Sequence, residues 1–91
     1  MREIKLDEIL LQVIDVREPE EYDDFYLVNS INIPRWQILD RLEEIDKTKE
    51  VYVLCATGMR SKFVCALLDN LWYKTVNISD WILHIKETKW N

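Results

Sequence analysis

Four short runs rich in β-branched residues, Val13-Ile14-Asp15-Val16, Ser30-Ile31-Asn32-Ile33, Val51-Tyr52-Val53-Leu54 and Thr75-Val76-Asn77-Ile78, recur along this chain with helically patterned stretches between them. Their brevity and polar boundaries suit buried strands. Pro19-Glu20-Glu21-Tyr22 resembles a helix start, with proline in the first turn and acids facing the positive end of the helix dipole. Trp36, Leu39, Leu42 and Ile45 fall at helical spacing, which predicts an amphipathic helix over 35–45 with those four on its apolar face. A helix from Ser61 is expected to place Val64, Leu67, Leu68 and Leu71 on one stripe. A short helix is expected at Asp7 to Leu11, and a last one at Trp81 to Lys89 with Ile82 and Ile85 inward. Strand and helix alternating in this way predict an α/β domain with a mostly parallel sheet and right-handed crossovers. In such sheets, sites form beyond the carboxyl ends of the strands.

Composition narrows the function classes. Ninety-one residues at 48% hydrophobic content suffice for one core, so the whole of 1–91 is expected to be a single domain. A formal net charge of −5 argues against nucleic acid as a partner, which would call for a basic stripe. Met1 to Glu8 alternates charges where a signal peptide would need an apolar stretch. No segment approaches the roughly 18 apolar residues of a membrane span, so a cytoplasmic protein without a membrane partner is expected. Two cysteines, Cys55 and Cys65, are too few for a disulfide scaffold, and His84, the one histidine, does not complete a zinc site with them at any usual spacing. Reduced thiols and no metal are the expectation.

Cys55 follows directly on the apolar run 51–54, and the only glycine of the chain, Gly58, comes three residues later. A thiol is thereby set at the tip of a buried strand, before a loop that must curl into a helix starting near Arg60. The amides of Ala56 to Ser61 can converge on the sulfur or on what it carries. Amides at a helix N-terminus carry partial positive charge, and Arg60 adds a full one, so a thiolate, persulfide or oxyanion would be stabilised there. Such a field lowers a cysteine pKa from its free value of about 8.5. Gly58 permits a positive φ or a close backbone approach that a β-carbon would block. Against this stands the plain alternative of an ordinary buried cysteine followed by an ordinary turn glycine.

Taken in order, Asp15-Val16-Arg17-Glu18-Pro19-Glu20-Glu21-Tyr22, Ser30-Ile31-Asn32-Ile33-Pro34 and Val51-Tyr52-Val53-Leu54-Cys55-Ala56-Thr57-Gly58-Met59-Arg60-Ser61 resemble the single-domain form of the rhodanese family over nearly the whole chain. The resemblance implies a three-layer domain, with a central mostly parallel sheet of four or five strands and helices on both faces. It also implies a sulfurtransferase without cofactor. The cysteine matching Cys55 takes a sulfane sulfur from a small donor such as thiosulfate or a persulfide, or from a protein persulfide. It passes that sulfur to a thiol or cyanide-like acceptor. By position, Ala56, Thr57, Gly58, Met59, Arg60 and Ser61 match the segment whose amides hold the outer sulfur. Four residues separate Cys55 from Arg60, one fewer than in tyrosine phosphatases and the related cell-cycle phosphatases, and the shorter loop suits a sulfur atom better than a phosphate. The other reading is a non-catalytic binding or regulatory module on the same fold.

Departures from the family pattern carry their own expectations. Where the family has glycine before its Asn-Ile-Pro motif, this chain has Phe25-Tyr26-Leu27-Val28-Asn29-Ser30, and Asn29 can take a left-handed turn at modest cost. A glycine usual near the end of the helix after the loop is Trp72, and a late Gly-Gly pair is Asp80-Trp81, which leaves Trp81 to crowd the pocket, form one wall of it or pack into the core. With Ala56 after the cysteine and Met59 before Arg60, the loop has one charged side chain and is expected to bind dianionic thiosulfate poorly. Cys65 is expected in or at the edge of the core, carried away from the loop by a helix rising about 1.5 Å per residue. Asp15 and Arg17 are expected to be structural, pairing with neighbours such as Glu21. His84 reads as a surface residue, and the tryptophans Trp36, Trp72, Trp81 and Trp90 read mostly as anchors.

Overall fold

A computed structural model describes residues 12–27, 29–56 and 58–78. The expectations for the helices at Asp7 to Leu11 and Trp81 to Lys89, and for Thr57, Asp80, Trp81, His84 and Trp90, lie outside these residues. Strands β1 (Gln12–Asp15), β2 (Ile31–Asn32), β3 (Val51–Leu54) and β4 (Thr75–Ile78) form one sheet in the order β2-β1-β3-β4, and all its pairs are parallel. The ladder sets Ile14 beside Val53 and Asp15 beside Leu54, and continues past the strand ends where Val16 N–H donates to the Leu54 carbonyl at 3.0 Å. Among the described residues no helix is long and apolar enough to cross a membrane.

Chain order against sheet order locates the helices. The connections β2→β3 and β3→β4 run in the same direction across the sheet, so right-handed crossovers put both on one face. Helix α2 (Met59–Asn70) packs there against β3 and β4 and touches the 3-10 helix Arg35–Glu44. Together they bury Ile14, Val16, Val51, Val53, Ile38, Ile45, Val64, Cys65 and Leu68. The connection β1→β2, which holds α1 (Pro19–Asp24), runs the other way. Val13, Asp15 and Leu54 alternate onto the opposite face and are also buried. Divergence of the connections after β1 and β3 makes a switch point between those two strands, the position at which open α/β sheets place their ligand sites.

The helix expected over 35–45 is corrected. It is a 3-10 helix with a break at Arg41 (φ −126°, ψ 28°), and its inward residue is Ile38. Trp36 and Leu39 point to solvent, 63% and 60% exposed, while Ile45 is buried and Leu42 packs on the core after the break. A three-residue spacing fits both helix types, and the break rotates the second half of the stripe relative to the first. On α2 the buried stripe is Ser61, Val64, Cys65 and Leu68, with Leu67 and Leu71 half-buried at its border.

Two of the departures from glycine are visible in the backbone, with Asn29 at φ 71° and Trp72 at φ 72°. Trp72 occupies the left-handed position just past the end of α2. Its N–H donates to the Asp69 carbonyl at 3.0 Å, and Tyr73 N–H donates to the Leu68 carbonyl at 3.1 Å. These two bonds are those of a Schellman cap, in which glycine is the favoured residue. The Trp72 side chain is 84% exposed, so little packing offsets a left-handed cost of about 1–2 kcal/mol. Trp72→Gly is expected to stabilise the domain by about 1 kcal/mol, raising the melting temperature by about 4–8 °C in a thermal unfolding scan. A fall in melting temperature would mean that the indole contributes packing that exceeds this relief.

Candidate active site

Cys55 sits one residue beyond β3, fully buried, at the switch point. Gly58, at φ 89° and ψ −5°, caps the N-terminus of α2, and this left-handed turn aims amides back at the sulfur. The Gly58 N–H donates to Cys55 Sγ at 3.0 Å and the Ser61 N–H does so at 3.3 Å. The thiol in turn donates to Ser61 Oγ at 3.3 Å, and the buried Ser61 hydroxyl donates to Asn77 Oδ1. Asn77 Nδ2 donates to the Gly58 carbonyl at 3.3 Å. Cys55, Ser61, Asn77 and Gly58 therefore close a ring of hydrogen bonds in which the side chain from β4 ties the loop to the sheet. Two backbone donors on one sulfur favour its anionic form, as hydrogen bonds to the charged state of a titrating group do.

The other expected loop residues occupy different places. Ala56 is half-buried, Thr57 lies outside the described residues, and Met59 is the exposed first residue of α2. Arg60 reaches back to α1: Nη1 donates to Glu21 Oε2 at 2.7 Å and Nη2 to Glu21 Oε1 at 2.9 Å. Glu21 Oε2 also accepts from the Glu18 N–H at 3.3 Å, at the start of the helix. The Arg60 hydrogen bonds hold the Glu21 carboxyl below the usual carboxylate range, against the opposing effect of partial burial. The same pair raises the Arg60 guanidinium, and the nearby charges of Cys55 and Glu18 push in that direction too.

Beneath the loop, Asp15 and Arg17 form a buried pair, Asp15 fully buried and Arg17 1% exposed. Arg17 Nε donates to both Asp15 carboxylate oxygens at 3.0 Å, and Nη2 donates to Oδ2 at 2.7 Å. The guanidinium also holds α1, donating to the Glu21 carbonyl at 3.3 Å and the Phe25 carbonyl at 2.8 Å. The structural reading of this motif agrees with the geometry: Arg17 pairs with Asp15, hydrogen-bonds the backbone of Glu21 and acts on the Glu21 carboxylate through charge, while that carboxylate's hydrogen-bonding fork belongs to Arg60. Cys65 lies on the core side of α2, where burial pushes its thiol up. Sequence reasoning missed Asn77. In an alternating β4 its polar side chain reads as solvent-facing, and the only available signal is its position on the strand that follows the loop helix.

The chain belongs to the family of rhodanese-like domains, whose sequence profile matches residues 3–81. It is 41% identical over 68 residues to a Bacillus subtilis protein named "Putative sulfurtransferase YtwF", covering 75% of this chain and 66% of that one. It is 30% identical over 66 residues to "Putative sulfur carrier protein YrkF" of the same organism, covering 72% of this chain and 36% of that one. The chain thus spans less than two thirds of the length of either curated relative. A solved rhodanese-like domain protein from Staphylococcus aureus superposes with a TM-score of 0.76 at 34% identity, over 81% of this chain and 72% of the other. The parallel four-stranded α/β architecture is the rhodanese fold.

Proposed function

We propose that this domain is a sulfurtransferase that carries a sulfane sulfur as a persulfide on Cys55. The observation that carries this reading is the convergence of the Gly58 and Ser61 amides on Cys55 Sγ at the switch point of the sheet. A thiolate held by two N–H donors is a ready nucleophile. It attacks the outer sulfur of a donor R–S–SH, so that the Sγ–S bond forms, the donor's S–S bond breaks, and R–S⁻ leaves to take a proton. The terminal sulfur then bears the negative charge, and the N-terminal end of α2 is the positive end of a helix dipole. An acceptor thiolate attacks that outer sulfur, an S–S bond forms to the acceptor, and Cys55 leaves as the thiolate it was. No electrons are gained or lost overall, so the cycle calls for no cofactor.

Names among the relatives lean the same way, one speaking of a sulfurtransferase and the other of a sulfur carrier. Glycine at a position that demands φ 89°, a fully buried serine on the sulfur and an arginine fastened to α1 are more than a core cysteine calls for. Incubation with cysteine persulfide is expected to add about 32 Da to the intact protein, one sulfur atom, removed again by cyanide. Folded protein that gains no sulfur from cysteine persulfide or thiosulfate would favour a binding module on the same fold.

A further inference from the structure

Arg60 is the one charged side chain between Cys55 and Ser61, and thus the loop's means of attracting an anionic donor. Its two terminal nitrogens nevertheless face both oxygens of Glu21, in a fork that matches carboxylate geometry. We propose that Glu21 is a specificity-determining residue: by neutralising Arg60 in this bidentate pair, it turns the site away from dianionic donors of the thiosulfate kind and toward persulfides of lower charge. This rests on the sulfur-transfer reading above.

The surrounding charges point in the same direction. The Arg17 guanidinium is balanced by Asp15 in its buried pair. Glu18 lies close enough to act electrostatically on Arg60, and α1 adds Glu20, Asp23 and Asp24 with no basic residue of its own. A dianion approaching Cys55 therefore meets one guanidinium already matched by one carboxylate, with the Glu18 carboxylate also acting on it and the rest of α1 acidic. To bind Arg60 it must displace Glu21 and leave that carboxylate facing its own two charges. A monoanionic persulfide meets half of this repulsion. It can deliver its outer sulfur to Cys55 without needing Arg60.

Glu21→Gln isolates the charge from the scaffold. Glutamine keeps a side chain able to accept from the Glu18 N–H, as glutamine does in a capping box, and α1 remains held by Arg17 through two backbone carbonyls. The ratio of kcat/KM for thiosulfate to kcat/KM for cysteine persulfide is to be measured in wild type, Glu21→Gln, Arg60→Gln and the double variant, at low and high salt. For one charge removed at roughly 6 Å, kcat/KM is expected to rise about tenfold for the dianion and about threefold for the monoanionic persulfide, so the ratio should rise about threefold in Glu21→Gln, carried mainly by KM for thiosulfate, and less at high salt. In the Arg60→Gln background the gain should be smaller, because the direct repulsion by Glu21 is still relieved but no guanidinium is freed to bind the dianion. A purely structural Glu21 would lower both donors together and leave the ratio where it was, which would overturn the proposal while the sulfur-transfer reading stood. Failure of both donors to load any of the four proteins would overturn both.

Discussion

Cys55→Ser is expected to leave a folded domain that takes up no sulfur, with transfer reduced at least about a thousandfold. The serine oxygen is a poor nucleophile toward divalent sulfur at neutral pH, and no second group in the ring around Sγ replaces the thiolate. The fold should tolerate the change. The site already offers polar partners, two N–H donors and the Ser61 hydroxyl, so a hydroxyl at position 55 is buried with hydrogen bonds rather than without them. Intact mass after donor treatment and a circular dichroism melt of the same sample separate the two effects. Cys65 provides an internal control. It lies in the apolar core beside Leu68 and Val64, where burial holds its thiol protonated, so the variant that retains Cys65 alone should remain at its unloaded mass. A gain of one sulfur in Cys55→Ser would place the carrier on Cys65 and overturn the assignment.

The sequence made the sheet legible because its information is local. Val51 to Leu54 and Thr75 to Ile78 are strands with the expected bounds, since β-branched residues in short runs bounded by polar ones leave little else to form. The segment 35–45 was legible as helical but not in its face. Spacing by three fits a 3-10 helix and an α-helix alike, and nothing in the residues announces the break at Arg41. At the site, a cysteine at a strand end with a glycine three residues on pointed to amides from the loop 56–61, and among the described residues those of Gly58 and Ser61 donate to the sulfur. The pairing of Glu21 with Arg60 was not readable in the same way. It joins residues 39 apart in sequence, and an acidic first turn is explained equally well by the helix dipole. Asn77 was hidden for the same reason. Its neighbours on β4 do not identify a polar residue that turns back toward a loop 19 positions earlier.

The largest loss of stability is expected at the buried pair under the loop. Arg17→Met removes the guanidinium that neutralises Asp15 and leaves a fully buried carboxylate with its backbone partner, the Arg17 N–H at 2.9 Å, but no counter-charge. Breaking such a pair by deleting one partner costs about 3–5 kcal/mol, a large share of the roughly 5–15 kcal/mol that holds a small domain together. A urea titration should show the midpoint falling by more than about 1 M. Adding Asp15→Val to Arg17→Met should recover part of the loss, because the stranded charge goes and Val13 and Leu54 are buried apolar residues on the same face of the sheet. Recovery should be incomplete. The Glu21 and Phe25 carbonyls have also lost the donor that held α1, and Asn32 still bridges only the Asp15 and Arg17 carbonyls. Since α1 presents Glu21 to Arg60, the double variant should fold with a looser clamp on the loop, and its preference between thiosulfate and persulfide should move in the direction of Glu21→Gln. A double variant as stable as wild type would mean that the pair contributes no net stability. Unchanged donor preference in that protein would mean that α1 holds its place without Arg17.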